Sequence, residues 1–147
     1  MKKLTLTLIG ILSLIGCSSD DNTTTLPIEP VNHLIGSWKL NTMSIYQYDG
    51  DELQQSQIDT PVSNFMTWEY TFKIDNTVEY TILAPIQGLN ESGTATYLHN
   101  NNNLEITIEN ELQNMEITRL DNDNLHLKIN QQDSTSTYII EQKFVKK

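Results

Sequence analysis

A period of two runs through the chain from Leu34 onward and limits what it can fold into. Trp68, Tyr70, Phe72 and Ile74 alternate with Thr67, Glu69, Thr71 and Lys73, which gives a ribbon one apolar face and one wet face. The pattern returns at Val78, Tyr80 and Ile82, at Leu104, Ile106 and Ile108, and at Leu125, Leu127 and Ile129. Tyr138, Ile140 and Phe144 keep it less cleanly, and Gly93 to Leu98 and Met115 to Leu120 keep it weakly. The first run, about residues 35–48, changes phase midway: Trp38 and Leu40 set one face, Met43 and Ile45 the other. A bulge or sharp bend near Thr42 reconciles the two halves and helps a sheet curl.

These runs make eight strands, with turns expected at Asp75-Asn76, His99 to Asn103, Asn110 to Gln113 and Asp121 to Asn124. Asn and Asp tolerate the positive φ and local hydrogen bonds that turns need. Most links are short, so consecutive strands pair antiparallel in an up-and-down order. Eight strands apolar on one face leave two sheet edges exposed, and closure removes them. The expectation is an all-β, eight-stranded antiparallel barrel, with a two-layer β-sandwich as the alternative that the same alternation serves. Two connections are long: Asp49 to Asn64, which reads as a loop, and Ala84 to Ser92 with Pro85 and Gly88. Gly50 to Ile58 has room for two helical turns, but its apolar residues are sparse, and no long amphipathic helix competes elsewhere.

Ahead of this body lies a different kind of sequence. Met1-Lys2-Lys3 is a cationic start, followed by an apolar run from Leu4 to Ile15. Twelve helical residues span roughly 18 Å, too short for a hydrocarbon core of about 30 Å, so the run reads as a secretory signal peptide. It ends in Leu14-Ile15-Gly16-Cys17, which resembles the lipobox of bacterial lipoproteins. That resemblance implies cleavage before Cys17 and lipidation of its thiol, and it divides the chain into a signal peptide (1–16), a lipidated cysteine with a flexible tether (17–33) and a folded domain (34–147). Residues 18–30 are polar, acidic and punctuated by Pro27 and Pro30, as a tether requires. Ser18-Ser19-Asp20-Asp21 is similar to the sorting signals of Bacteroidetes surface lipoproteins. The implied location is the outer membrane, with the lipid holding the protein at the cell surface or on the periplasmic face.

Composition narrows the chemistry. The 147 residues fit one domain, and 9 Lys+Arg against 19 Asp+Glu give a formal net charge of −10. Nucleic acid is an unsuitable partner for such a surface, since phosphate binding needs clustered cations and Arg119 is the sole arginine. Cys17 is the only cysteine, so once lipidated it leaves no thiol for disulfides, metal or nucleophilic catalysis. His33, His99 and His126 are scattered without zinc spacing, and no Gly-x-Ser-x-Gly elbow occurs. Asp121-Asn122-Asp123-Asn124 starts like a calcium loop but meets Leu125 and His126 where a ligand and glycine belong. The expectation is therefore no catalytic site, no metal and no cofactor.

A resemblance enters with Leu34-Ile35-Gly36-Ser37-Trp38-Lys39-Leu40. The Gly36-x-Trp38 motif, at the head of eight strands and behind a lipobox, is similar to the opening of lipocalins and lipocalin-like bacterial lipoproteins. The later rhythm matches the same relatives through Gly93-Thr94-Ala95-Thr96-Tyr97 and Ile117-Thr118-Arg119-Leu120. The resemblance implies a structural role for Gly36 and Trp38, with the indole closing the barrel bottom. It also implies that the link between the first two strands forms a lid over the mouth. The last strand lacks the family's arginine over that tryptophan, leaving Lys143, Lys146 or Arg119 as candidates to cover the ring. The implied function is non-enzymatic binding of a small, partly apolar ligand, with Trp68, Tyr70, Phe72, Tyr80, Tyr97 and Tyr138 as the candidate lining, since their rings join apolar area to polar tips. The alternative is a filled barrel that binds a protein or glycan through its loops.

Overall fold

A computed structural model describes residues 32–63 and 65–147. The expected signal peptide, Cys17 and the expected tether up to residue 31 lie outside the described residues. Among the described residues, no helix is long and apolar enough to cross a membrane.

Nine strands form one antiparallel sheet: β1 (Gly36–Asp49), β2 (Glu52–Pro61), β3 (Thr67–Phe72), β4 (Thr77–Ala84), β5 (Leu89–Asn100), β6 (Asn103–Ile108), β7 (Glu111–Leu120), β8 (Asn124–Gln132) and β9 (Thr137–Lys146). Neighbours follow the order β2-β1-β3-β4-β5-β6-β7-β8-β9, and β1 also pairs with β9. That last pairing runs from Trp38↔Lys146 to Tyr48↔Thr137 and closes a barrel of eight strands, β1 and β3 to β9. Closure excludes the sandwich, because a sandwich would leave β1 and β9 as unpaired edges.

The apolar faces identified by alternation turn inward within the strands, but Ile74 does not: it lies beyond the end of β3, in the turn to β4, and is 89% exposed. The register of β1 against β9 slips between Leu40 and Thr42, so the extra residue, Asn41, restores Met43 and Ile45 to the inner face shared with Trp38 and Leu40. Turns fall where Asn, Asp and Gly supply positive φ: Asn76, Asn101 and Asn110 all adopt it. Glu109 and Asn110 both lie at positive φ between Ile108 and Glu111, the geometry that matches the twist of a two-residue hairpin. Asp121 ties its turn by accepting bonds from the backbone N–H groups of Asp123 and Asn124 and from the Asn124 amide. These bonds hold its carboxyl well below the usual carboxylate range, with the Arg119 guanidinium reinforcing them. The calcium-like stretch is thus a self-capped turn.

Two expectations about loops are corrected. Most of the connection expected as a loop over 49–64 is strand, and none of 50–58 is helical: after Gly50-Asp51 the chain returns as β2, paired with the outer half of β1 from Asp49↔Glu52 to Thr42↔Pro61. β3 takes the same side of β1 lower down, at Gly36↔Phe72 to Lys39↔Glu69, so β2 continues above the start of β3. Both faces of β2 are solvent-exposed along nearly its whole length, which is why no alternation marked it in the sequence. It is fastened near its end by Asp59, whose N–H donates to the buried Ser44 hydroxyl at 2.9 Å and whose carboxylate pairs with Lys143. The second long connection also shrinks, because β4 and β5 pair up to Ala84↔Leu89 and leave only a 3₁₀ turn, Pro85–Gln87, and Gly88.

The barrel is closed at the end where β1 begins. Trp38 is fully buried, and its indole N–H donates to the Leu34 carbonyl at 2.8 Å. Of the three cations considered for its ring, Lys146 takes the place: its Nζ lies 4.1 Å from the ring centroid and donates to the Ile35 carbonyl at 2.6 Å. Gly36 makes room for this arrangement. Its φ is +122°, and a Cβ there would come within 2.7 Å of Lys146 Nζ.

Candidate functional site

Large side chains fill the lower half of the barrel. Phe72 packs edge-on against Tyr97 with centroids 5.0 Å apart, and Tyr70 lies 5.5 Å from Phe144. Leu104, Ile106, Leu125 and Leu127 complete this core, each fully buried. The Tyr97 hydroxyl donates to the Lys73 carbonyl in the turn at the closed end, 2.8 Å away.

Above this packed layer the interior opens. A cavity of about 620 Å³ lies between β1, β3, β7, β8 and β9, within the range of small-molecule sites. Its wall is mixed: Met43, Ile45, Met66, Trp68, Ile129 and Ile140 supply the apolar part, and Gln113, Asn114, Asn130 and Gln131 also line it from β7 and β8. Glu111 is the single ionisable side chain among the lining residues, which include no lysine, arginine or histidine.

Three buried polar atoms have no hydrogen-bond partner among the described residues: Trp68 Nε1, Tyr70 Oη and Gln142 Oε1. Trp68 and Tyr70 occupy successive inward positions of β3, with ring centroids 6.1 Å apart. Gln142 is the inward residue next to Phe144 on β9, is 2% exposed, and lines the cavity together with Trp68. Burial pushes the Tyr70 phenol up to about 12, while the Trp68 indole N–H, directed toward its oxygen without reaching full hydrogen-bond geometry, acts in the opposite sense. The phenol is therefore a neutral donor at any physiological pH.

The six aromatic residues singled out in the sequence do not gather in one place. Trp68 is in the cavity wall, and Tyr70 lies just below it in the packed layer. Phe72 and Tyr97 belong to the core at the closed end. Tyr80 faces a smaller depression with Glu91 and Ile108, and its ring packs against Gly93. Tyr138 lies beside Gln55 and Gln57 of β2 in another depression. Sequence reasoning missed Gln142, although a signal was present: it is the one polar residue in the inward series Tyr138, Ile140, Gln142, Phe144.

With this geometry in hand, comparison with known proteins is informative. A family profile described as "Lipocalin-like domain" matches residues 34–127. No curated protein sequence matches the chain. Among solved structures it is similar to bovine odorant binding protein in complex with undecanal, at 16% identity and a TM-score of 0.47, covering 81% of this chain and 74% of that one. The bovine lipocalin allergen Bos d 2 is similar at 10% identity and a TM-score of 0.45, covering 78% of this chain and 73% of that one. Lobster apocrustacyanin A1 follows at 14% identity and a TM-score of 0.45, covering 84% of this chain and 65% of that one. The profile spans well over half of the sequence and begins at Leu34, the residue whose carbonyl receives the Trp38 indole, so the chain belongs to the lipocalin-like domain family.

Proposed function

We propose that this protein is a binding protein, not an enzyme, which takes up a small, partly apolar ligand in the upper half of its barrel while a lipid on Cys17 holds it at the outer membrane. The observation that carries the reading is the open cavity of about 620 Å³, walled by Met43, Ile45, Ile129 and Ile140 above a solid core. A fully packed barrel would have no use for such space, because voids in an interior forfeit contacts and stability. The support for the anchor is sequence-based: a short apolar run ending in Leu14-Ile15-Gly16-Cys17 and followed by a polar, acidic tether.

Native mass spectrometry of the purified protein, together with titration of the neutral apolar dye N-phenyl-1-naphthylamine, tests the cavity. Dye binding that is lost in Ile140→Arg, which places a long cation across the chamber, is the expected result. A dye that fails to bind, or binds the variant equally well, refutes the chamber and leaves loop-mediated binding of a protein or glycan as the better reading. Cys17→Ser is expected to release the protein from membranes, and continued membrane association would refute the anchor.

A further inference from the structure

Buried polar atoms are almost always paired, so three orphans in one place require a reason. In this barrel they share a boundary. Tyr70 caps the packed core against Phe144, Trp68 stands one inward position above Tyr70, and Gln142 stands one inward position above Phe144. Two of the three residues, Trp68 and Gln142, line the cavity itself. The inventory is mixed: the indole offers only a donor, the phenol is a donor and acceptor, and the amide oxygen only accepts.

We propose that Trp68 and Gln142, backed by Tyr70 in the packed layer beneath them, form a socket at the floor of the cavity that receives the hydroxyl group of a neutral, hydroxyl-bearing amphiphile whose apolar part points toward the mouth. This rests on reading the cavity as a ligand chamber. A hydroxyl is the small group that accepts and donates at once, so it serves the indole donor and the Gln142 oxygen together. A carbonyl satisfies the donors and leaves Gln142 Oε1 unpaired. A carboxylate fares worse, because it confronts the amide oxygen with negative charge and finds no cation in the wall. Glu111 is the only charged residue among the described residues that line the chamber, and the chain as a whole carries a formal −10. The Tyr70 phenol points the same way, since its raised value means that negative charge is disfavoured at this depth. The socket therefore discriminates against fatty acids and in favour of long-chain alcohols or similar uncharged hydroxyl compounds.

The test uses the purified protein at pH 7, with decan-1-ol, decanoate and decane competing against N-phenyl-1-naphthylamine. Decan-1-ol is expected to displace the dye at a concentration at least about ten-fold below that of decanoate. In Gln142→Leu and in Trp68→Phe, that alcohol-over-carboxylate ratio is expected to fall to within about three-fold, because an unpaired polar group is the source of the discrimination. Unchanged far-UV circular dichroism confirms that each variant is folded, and the ratio in Ile58→Ser, on the exposed β2, is expected to stay as in the parent. Dye binding with equal displacement by all three probes would overturn the socket and leave the chamber standing. Absence of dye binding would overturn the chamber itself. A ratio that survives Gln142→Leu would show that water, and not the ligand, serves these atoms.

Discussion

Replacing Trp38 with phenylalanine isolates the interactions that close the barrel, because a ring remains while the N–H and the larger face are lost. The Leu34 carbonyl loses its 2.8 Å donor, and stranding a buried acceptor costs about 1–1.5 kcal/mol. Exchanging a fully buried indole for a phenyl ring withdraws roughly 40 Å² of apolar contact, or about 1 kcal/mol. Lys146 Nζ, 4.1 Å from the ring centroid, then faces a weaker π-system, for a further loss of about 0.5 kcal/mol. The sum is about 2.5–3 kcal/mol, an upper estimate because the three terms share atoms.

Trp38→Ala adds a large cavity and is expected to lose at least about 3–5 kcal/mol, a large share of the 5–15 kcal/mol that holds a domain of this size together. Urea denaturation followed by far-UV circular dichroism reads both variants. With a slope of ~1–3 kcal/mol per M, Trp38→Phe lowers the midpoint by about 0.8–3 M. Lys146→Met keeps the stem and removes the charge, and a double-mutant cycle with Trp38→Phe is expected to give a coupling of about 0.5–1 kcal/mol. A loss below about 0.5 kcal/mol for Trp38→Phe would refute the view that this indole plugs the closed end.

Further outcomes follow from other parts of the molecule. Gly36→Ala is expected to destabilise by about 1–3 kcal/mol, since a φ of +122° strains any side chain and the new Cβ displaces Lys146; an unchanged urea midpoint would refute this. Tyr70→Phe removes an unpaired buried hydroxyl and is expected to leave stability unchanged or raise it by about 1 kcal/mol, whereas a loss above that would reveal a partner for the phenol. Acid should unfold the protein in two stages. His126 has a lowered value in the fold, caused first by burial and then by repulsion from Arg119 and Lys143, so the unfolded state binds its proton first and stability declines as pH falls through 6.5. Asp121, Asp133, Asp75 and Asp59 are all held below 3.8, chiefly by hydrogen bonds from Asn124, Thr135, Thr77 and Lys143 respectively. Their contribution is complete above 3.8 and is lost as pH falls further. Thermal melts from pH 8 to pH 2 should show both declines, and His126→Asn should remove the first alone.

The sequence by itself determined which face of each of the eight barrel strands turns inward and that these strands pair antiparallel in chain order. Alternation at Trp68–Phe72, Leu104–Ile108 and Leu125–Ile129 has physical content, since successive side chains of a strand leave on opposite faces. One buried face then fixes the register. The phase change after Leu40 announced the bulge at Asn41, and Asn76, Asn101 and Asn110 marked turns because they accept positive φ. The role of Trp38 as the plug of the barrel bottom came from the resemblance carried by Gly36-x-Trp38, and the burial of the indole in β1 bears it out.

Tertiary structure alone decided what lies beside what around the barrel and how high each residue stands within it. A period of two says inside or outside but nothing about height, because height depends on the stagger of strands that closure imposes. Phe72 and Tyr97 therefore fell into the packed end while Trp68 reached the cavity, though all three look alike in the sequence. β2 stayed invisible because a strand wet on both faces carries no alternation. Gln142 became meaningful only when β9 brought it to the boundary above Phe144, across the interior from Trp68 and Tyr70. Lys146 likewise took the place over Trp38 that three cations could have filled, because only the pairing of β1 with β9 sets them opposite one another.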